Sequence, residues 1–160
     1  MKQAPIAMVL TCSDSRVVPE FILDQRLGDL FVVRVAGNTL DPVVLGSMEY
    51  AAGHFGTALI LVLGHTRCGA VMAAVDAVGE PEGNVGSILS GIRPAVEQAK
   101  AICGAEAGPR LVGCAIEQNV RMVTKLIHER PPLLSRLVKE GKVKIQGANY
   151  DLDDDSLTLY

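Results

Sequence analysis

Tryptophan is missing from this chain, and three tyrosines and three phenylalanines bring its aromatic content to only 4%. The core must therefore come from Val, Leu, Ile and Ala, a supply that favours parallel strands covered by helices on both faces. Runs of Lys and Arg are also missing, and the formal charge is −3. Neither nucleic acid nor an anionic membrane surface is favoured electrostatically. No stretch reaches the roughly 18–20 apolar residues that span a bilayer. The apolar start, Ala4 to Leu10, lacks a small-residue cleavage pattern, so it does not read as a secretory leader and a cytoplasmic location is expected. Cysteine is scarce as well: Cys12, Cys68, Cys103 and Cys114 are the whole supply.

What is present suits one globular domain. The 160 residues are 49% hydrophobic and 21% charged, enough for a sizeable core. Apolar runs at Ile6–Leu10, Leu30–Ala36 and Ala58–Leu63 read as buried strands, and Lys142–Tyr150 alternates as a further one. Between them, Pro19 opens a helix through Leu27 that Gly28 closes, and Asp41-Pro42 caps one that runs to His54 and ends at Gly56. Small residues give a helix from Ala70 to Val78, and residues 79–84 form a loop. A helical region carrying Ile88, Leu89, Ile92 and Val96 is expected to kink or break near Pro94. Ile116, Val120, Val123 and Ile127 recur at helical spacing, so a helix is expected over Gly113–Glu129, then another over Leu133–Glu140. An acidic turn, Asp151 to Asp155, and a short terminal strand finish the chain. The expectation is a single α/β domain over residues 1–160, a mostly parallel central sheet flanked by helices.

Two strand ends carry the chemistry. Cys12-Ser13-Asp14-Ser15-Arg16 follows the first strand, and His65-Thr66-Arg67-Cys68 follows Leu59–Gly64. In open parallel sheets, ligands collect at the carboxyl ends of strands. Cys12 alone would read as a small buried hydrophobe, and His-x-x-Cys alone is a weak signal. Together, two thiolates and one imidazole suit zinc and leave its fourth tetrahedral position open, the mark of a catalytic site. With two cysteines so assigned, a disulfide is not expected, and Cys103 and Cys114 read as free thiols.

Asp14 and Arg16 could be a plain surface ion pair. Beside a metal they gain a role, in which the carboxylate orients a water and the guanidinium holds that carboxylate ionised and in place. Released from Arg16, Asp14 could instead swing onto the metal as a fourth, inhibitory ligand. Gly64 to Gly69 has the two glycines of a phosphate-binding loop, but Ala70-Val71 stand where Lys and Ser or Thr are needed. No dinucleotide fingerprint follows a strand either.

Cys12-x-Asp14-x-Arg16 followed some fifty residues later by Gly64-His65-x-x-Cys68-Gly69 resembles the β-class carbonic anhydrases. The resemblance extends through Gly28–Arg34, Ala36-Gly37-Asn38, Glu117–Val120 and Gly147–Leu152, and covers essentially the whole chain. It implies reversible hydration of carbon dioxide to bicarbonate through zinc-bound hydroxide, with Zn2+ held by Cys12, His65 and Cys68. It further implies that Asp14 and Arg16 are catalytic, and that Gln3 and the Gly69 amide bind substrate. A homodimer or higher homo-oligomer is implied too, with second strands pairing across subunits. Hydrolysis of carbonyl sulfide or carbon disulfide on the same scaffold is the alternative, and a non-catalytic bicarbonate-responsive homologue a further one.

Some of the family's features are not matched. Only eleven residues precede Cys12, so the family's N-terminal helical arm is expected to be missing from this chain. Arg34 and Tyr50 fall at two positions of an inhibitory bicarbonate pocket found in some members, but Val9 stands where that pocket has Trp. His54 and His128 read as histidines at helix ends. The acidic run 151–155 reads as a solvated turn, since it lacks the glycine and terminal glutamate of a calcium loop.

Overall fold

The computed structural model describes residues 3–79, 81, 83–106 and 108–160. Strand β1 (Ala7–Thr11) is followed by the short helix α1 (Pro19–Ile22), β2 (Leu30–Arg34), a single 3-10 turn at Ala36–Asn38, α2 (Pro42–Phe55) and β3 (Leu59–His65). Helices α3 (Gly69–Asp76), α4 (Val85–Cys103), α5 (Pro109–Glu129) and α6 (Pro132–Lys139) then lead to β4 (Lys144–Tyr150) and β5 (Leu157–Leu159). The sheet order is β2-β1-β3-β4-β5; every pairing is parallel except β4 with β5. The α/β expectation holds.

The strand order reverses between β1 and β3. The chain leaves β1 for β2 on one side and returns through α2 to β3 on the other. This opens a crevice at their carboxyl ends, where such folds place their ligands. Both strands are buried centrally: every residue of β1 is buried, and Thr11 Oγ1 donates to the Leu63 carbonyl at 2.8 Å, tying the two ends together.

Residues alternate across the sheet as strand geometry requires. Met8, Leu10, Ile60 and Val62 face α2, α5 and α6 through Met48, Val120, Ile127 and Leu134. Val9, Leu61, Leu63 and Ala148 face the other way, toward Val17, Ile22, Leu23 and Leu152. That second face is covered by a four-residue helix and loops, so helical cover is lopsided, with the long helices on one side.

Several boundaries differ from the sequence pattern for local reasons. Helix α1 stops at Ile22 instead of Leu27, and Asp24 at φ +50° turns the chain out of any helix. β3 runs on to His65, because β4 pairs with it as far as His65 opposite Tyr150. Pro94 does not break α4; it lies on the exposed face, as does Ser90, whose carbonyl loses its helical donor there and can bind water. α5 starts at Pro109, four residues earlier than periodicity suggests, because proline fits a first helical position. Asp41 caps α2 as expected, accepting the Val44 amide at 2.7 Å, and Gly56 ends it in the left-handed region. Glu80 and Glu82 of the expected 79–84 loop lie outside the described residues.

The expectation of free thiols at Cys103 and Cys114 is overturned. Cys103, the last residue of α4, is disulfide-bonded to Cys114 of α5, with Cα atoms 6.6 Å apart. The earlier start of α5 places Cys114 more than a turn inside that helix, against α4.

Candidate metal centre

Cys12 is the first residue after β1, His65 the last of β3, and Cys68 the N-cap of α3. Their ligand atoms all lie within 4.8 Å of one another, and all three residues are buried. The two sulfurs are 3.9 Å apart. Thus the topology assembles, from residues up to 56 apart, the set expected from the two motifs.

His65 is completely buried, and its Nδ1 lies 2.9 Å from the Thr66 carbonyl. A carbonyl only accepts, so Nδ1 carries the proton and Nε2 presents its lone pair. Nε2 has no hydrogen-bond partner and no solvent. An orphaned buried acceptor beside two thiols is costly unless a cation takes it. The arrangement fits a metal.

The backbone prepares both sulfurs for ionisation. The Gly37 amide, in the 3-10 turn after β2, donates to Cys12 Sγ at 3.3 Å. Gly37 adopts φ +67°, and a Cβ there would stand 2.6 Å from Ile92 Cδ1, so glycine is required twice over. Asn119 of α5 donates to the Gly37 carbonyl at 2.9 Å and locks the turn. The Val71 and Ala70 amides of the first turn of α3 point at Cys68. Hydrogen bonding from the Cys68 thiol, helped by the Gly37 amide, lowers the Cys12 pKa to about 4. The Cys12 thiolate and burial push Cys68 well above its usual range. One proton is thus shared by two sulfurs until a cation replaces it.

Asp14 stands at the mouth. Its Oδ2 is 3.9 Å from His65 Nε2. Arg16 grips it with Nη2 on Oδ2 at 2.8 Å, Nε on Oδ1 at 3.0 Å and its own amide on Oδ1 at 3.0 Å. That fork holds the carboxyl well below the usual carboxylate range. Arg34, at the end of β2, donates from Nε to the Cys12 carbonyl at 3.2 Å and from Nη2 to the Asp14 carbonyl at 2.7 Å. Its guanidinium therefore braces the metal loop. Tyr50 lies elsewhere, stacked on His54 with ring centroids 4.1 Å apart. Gly69 begins α3 beside Cys68, whereas Gln3 is exposed, and no hydrogen bond among the described residues links it to the cluster.

Sequence reasoning names the three residues that cluster here and the paired Asp14 and Arg16. It misses the supporting roles of Gly37, Arg34 and Asn119. The available signals are the resembling segments Gly28–Arg34, Ala36-Gly37-Asn38 and Glu117–Val120, which contain these residues without giving their roles.

A family model described as carbonic anhydrase matches residues 7–157. The chain belongs to the β-carbonic anhydrase family. It is 38% identical over 160 residues to carbonic anhydrase 2 of Mycobacterium tuberculosis, covering 98% of this chain and 75% of that protein. Among solved structures it is similar to the β-carbonic anhydrase CcaA, with a TM-score of 0.91 and 26% identity, covering 99% of this chain and 81% of that one. It is likewise similar to the β-carbonic anhydrase CafA of Aspergillus fumigatus, with a TM-score of 0.90 and 27% identity over 99% and 76% of the two chains.

Proposed function

We infer that this protein catalyses the reversible hydration of carbon dioxide to bicarbonate, with zinc held by Cys12, His65 and Cys68. The observation that carries the reading is a carboxylate locked in an Arg16 fork 3.9 Å from the unpartnered Nε2 of a buried ligand cluster. Zinc is favoured among metals because two thiolates and an imidazole are its usual donors. When bound, zinc acts as a Lewis acid and makes a water acidic enough to react near neutral pH.

The chain's own residues do the rest. Asp14, ionised and acceptor-only, takes a hydrogen bond from the reacting water and so aims its lone pair outward. Arg16 occupies both carboxylate oxygens, which opposes Asp14 moving onto the metal and supports an open fourth position. The Gly69 amide and Gln3 are the donors proposed for the bicarbonate oxygen as charge develops on it.

The family assignment favours carbon dioxide over carbonyl sulfide or carbon disulfide. Stopped-flow turnover of the three gases by the zinc-loaded protein separates them: fast proton release with carbon dioxide alone is expected, and hydrogen sulfide production without it would reverse the order.

The same reading includes a homodimer. Among the described residues β2 is an edge strand with no partner on its outer side, and Phe21 and Leu27 nearby are 85% and 86% exposed, an arrangement that invites a second copy. On the other side of the sheet, β5 takes the edge and covers the Ala148–Tyr150 end of β4. Light scattering over a dilution series reads the assembly, and a monomer at all concentrations would contradict it.

A further inference from the structure

The acidic run after β4 reads in the sequence as a solvated turn, yet it reaches into the metal turn. Thr66 and Arg67 separate the ligands His65 and Cys68, so whatever holds them holds both ligands. Two polar groups of Thr66, its amide and its hydroxyl, are spent on the segment at the end of β4. Its amide donates to the Tyr150 carbonyl at 2.9 Å. Its Oγ1 accepts the Leu152 amide at 2.9 Å and lies 3.5 Å from Asp151 Oδ1 as donor. The third group, its carbonyl, accepts His65 Nδ1–H. The carbonyl that sets the ring's orientation and proton position is therefore fixed by the strand next door.

Arg67 repeats the pattern. Its backbone sits at φ +56°, an unfavourable region for a residue with a side chain. Its Nη2 meets Asp153 Oδ1 at 2.8 Å, and its carbonyl faces Arg16 Nη2 at 3.5 Å, the same nitrogen that grips Asp14. The acidic turn is itself closed by local bonds. The Asp153 amide donates to Asp151 Oδ1 at 2.8 Å, the Asp151 amide to the Ser156 carbonyl at 2.9 Å, and the Ser156 amide to Asp154 Oδ1 at 2.9 Å. It is a preformed bracket rather than a loose loop.

We propose that Thr66, anchored by the 150–153 segment, is a positioning residue that fixes His65 for metal binding. The inference rests on the zinc reading above. Groups that orient a ligating histidine change metal affinity or activity by about 10–100-fold when removed. Thr66→Val keeps the shape and removes the hydroxyl; Thr66→Ser restores it.

The test uses the zinc-loaded full chain and measures zinc release to a chelator, with the visible spectrum of the cobalt-substituted protein and the thermal midpoint alongside. Thr66→Val is expected to release zinc about 10–100-fold faster, shift the cobalt spectrum and lower kcat with little change in KM. Thr66→Ser is expected to return all three toward the parent. If Thr66→Val does not fold, Asp151→Ala, which removes the hydroxyl's acceptor and opens the bracket, must accelerate release in the same direction. Unchanged release and spectrum in a folded variant would overturn the proposal. So would a lowered thermal midpoint with release unaffected, which marks a purely structural role. A parent protein that binds no zinc would overturn the zinc reading as well, whereas a zinc-bound parent with an indifferent Thr66→Val overturns this proposal alone.

Discussion

The Gly37 amide hydrogen points at the Cys12 sulfur across 3.3 Å, joining a turn after the edge strand to a ligand after the central one. The turn can approach that closely only because residue 37 has no side chain, with Ile92 and Ala70 packed against the vacant Cβ position. Gly37→Ala is therefore expected to lose about 1–3 kcal/mol through overpacking and to weaken zinc binding as the amide withdraws. Denaturant unfolding and zinc competition measure the two effects. Parental zinc affinity in a folded Gly37→Ala would show that the contact is incidental.

Arg16→Ala is expected to retain zinc while reducing carbon dioxide hydration by at least about 10–100-fold, because Asp14 loses the fork that aims it. Asp14→Asn is expected to lose more, about 100–10,000-fold, since the amide presents a donor where an acceptor is needed. The direction of the Asp14 shift sets its pH behaviour. A depressed carboxylate stabilises the fold above its unfolded pKa, near 3.9, and loses that contribution only as pH falls through its lower folded value. Asp14 should thus not titrate near neutral pH. A drop in thermal midpoint with normal turnover per folded molecule would reduce the pair to a structural ion bridge.

Zinc uptake should release protons. Near neutral pH Cys12 is ionised, its pKa lowered to about 4, while Cys68 keeps its proton beside that thiolate. A divalent cation needs both as thiolates, so the pair gives up about one proton and affinity rises about tenfold per pH unit. Calorimetry in buffers of different ionisation enthalpy counts the proton. Working between about pH 7.5 and 8.5 keeps ordinary imidazoles neutral. Uptake without proton release would mean that both sulfurs were already ionised.

The Cys103–Cys114 bridge closes a short segment, with a sequence separation of 11. Replacing both by serine is expected to lower stability by up to about 3 kcal/mol in the loop-closure account, leaving zinc content unchanged. Loss of zinc in that variant would tie the bridge to the metal site.

The Cys12–His65–Cys68 cluster is legible in the sequence because side chains carry it. Two sulfurs and a ring nitrogen, each placed after an apolar run, announce themselves at fixed spacing, and a parallel sheet then has to bring strand ends together. The groups that support them are different. The Gly37 amide, the Thr66 carbonyl and the amides of α3 are backbone groups that nearly every residue has, so no letter marks them. Arg34 looks like any strand-end arginine until β1 and β2 come into register, with Thr11 opposite Arg34. The disulfide is hidden by a helix boundary: with α5 begun at Gly113, Cys114 has no reason to face α4. Pro94 announces a local break, and an exposed helix face absorbs it.

Whether Cys12, His65 and Cys68 share one ion is measured directly by elemental analysis of the purified parent and Cys68→Ala proteins. About one zinc per chain in the parent and almost none in Cys68→Ala is the predicted result, because two remaining ligands hold zinc poorly. Full zinc content in Cys68→Ala would contradict it.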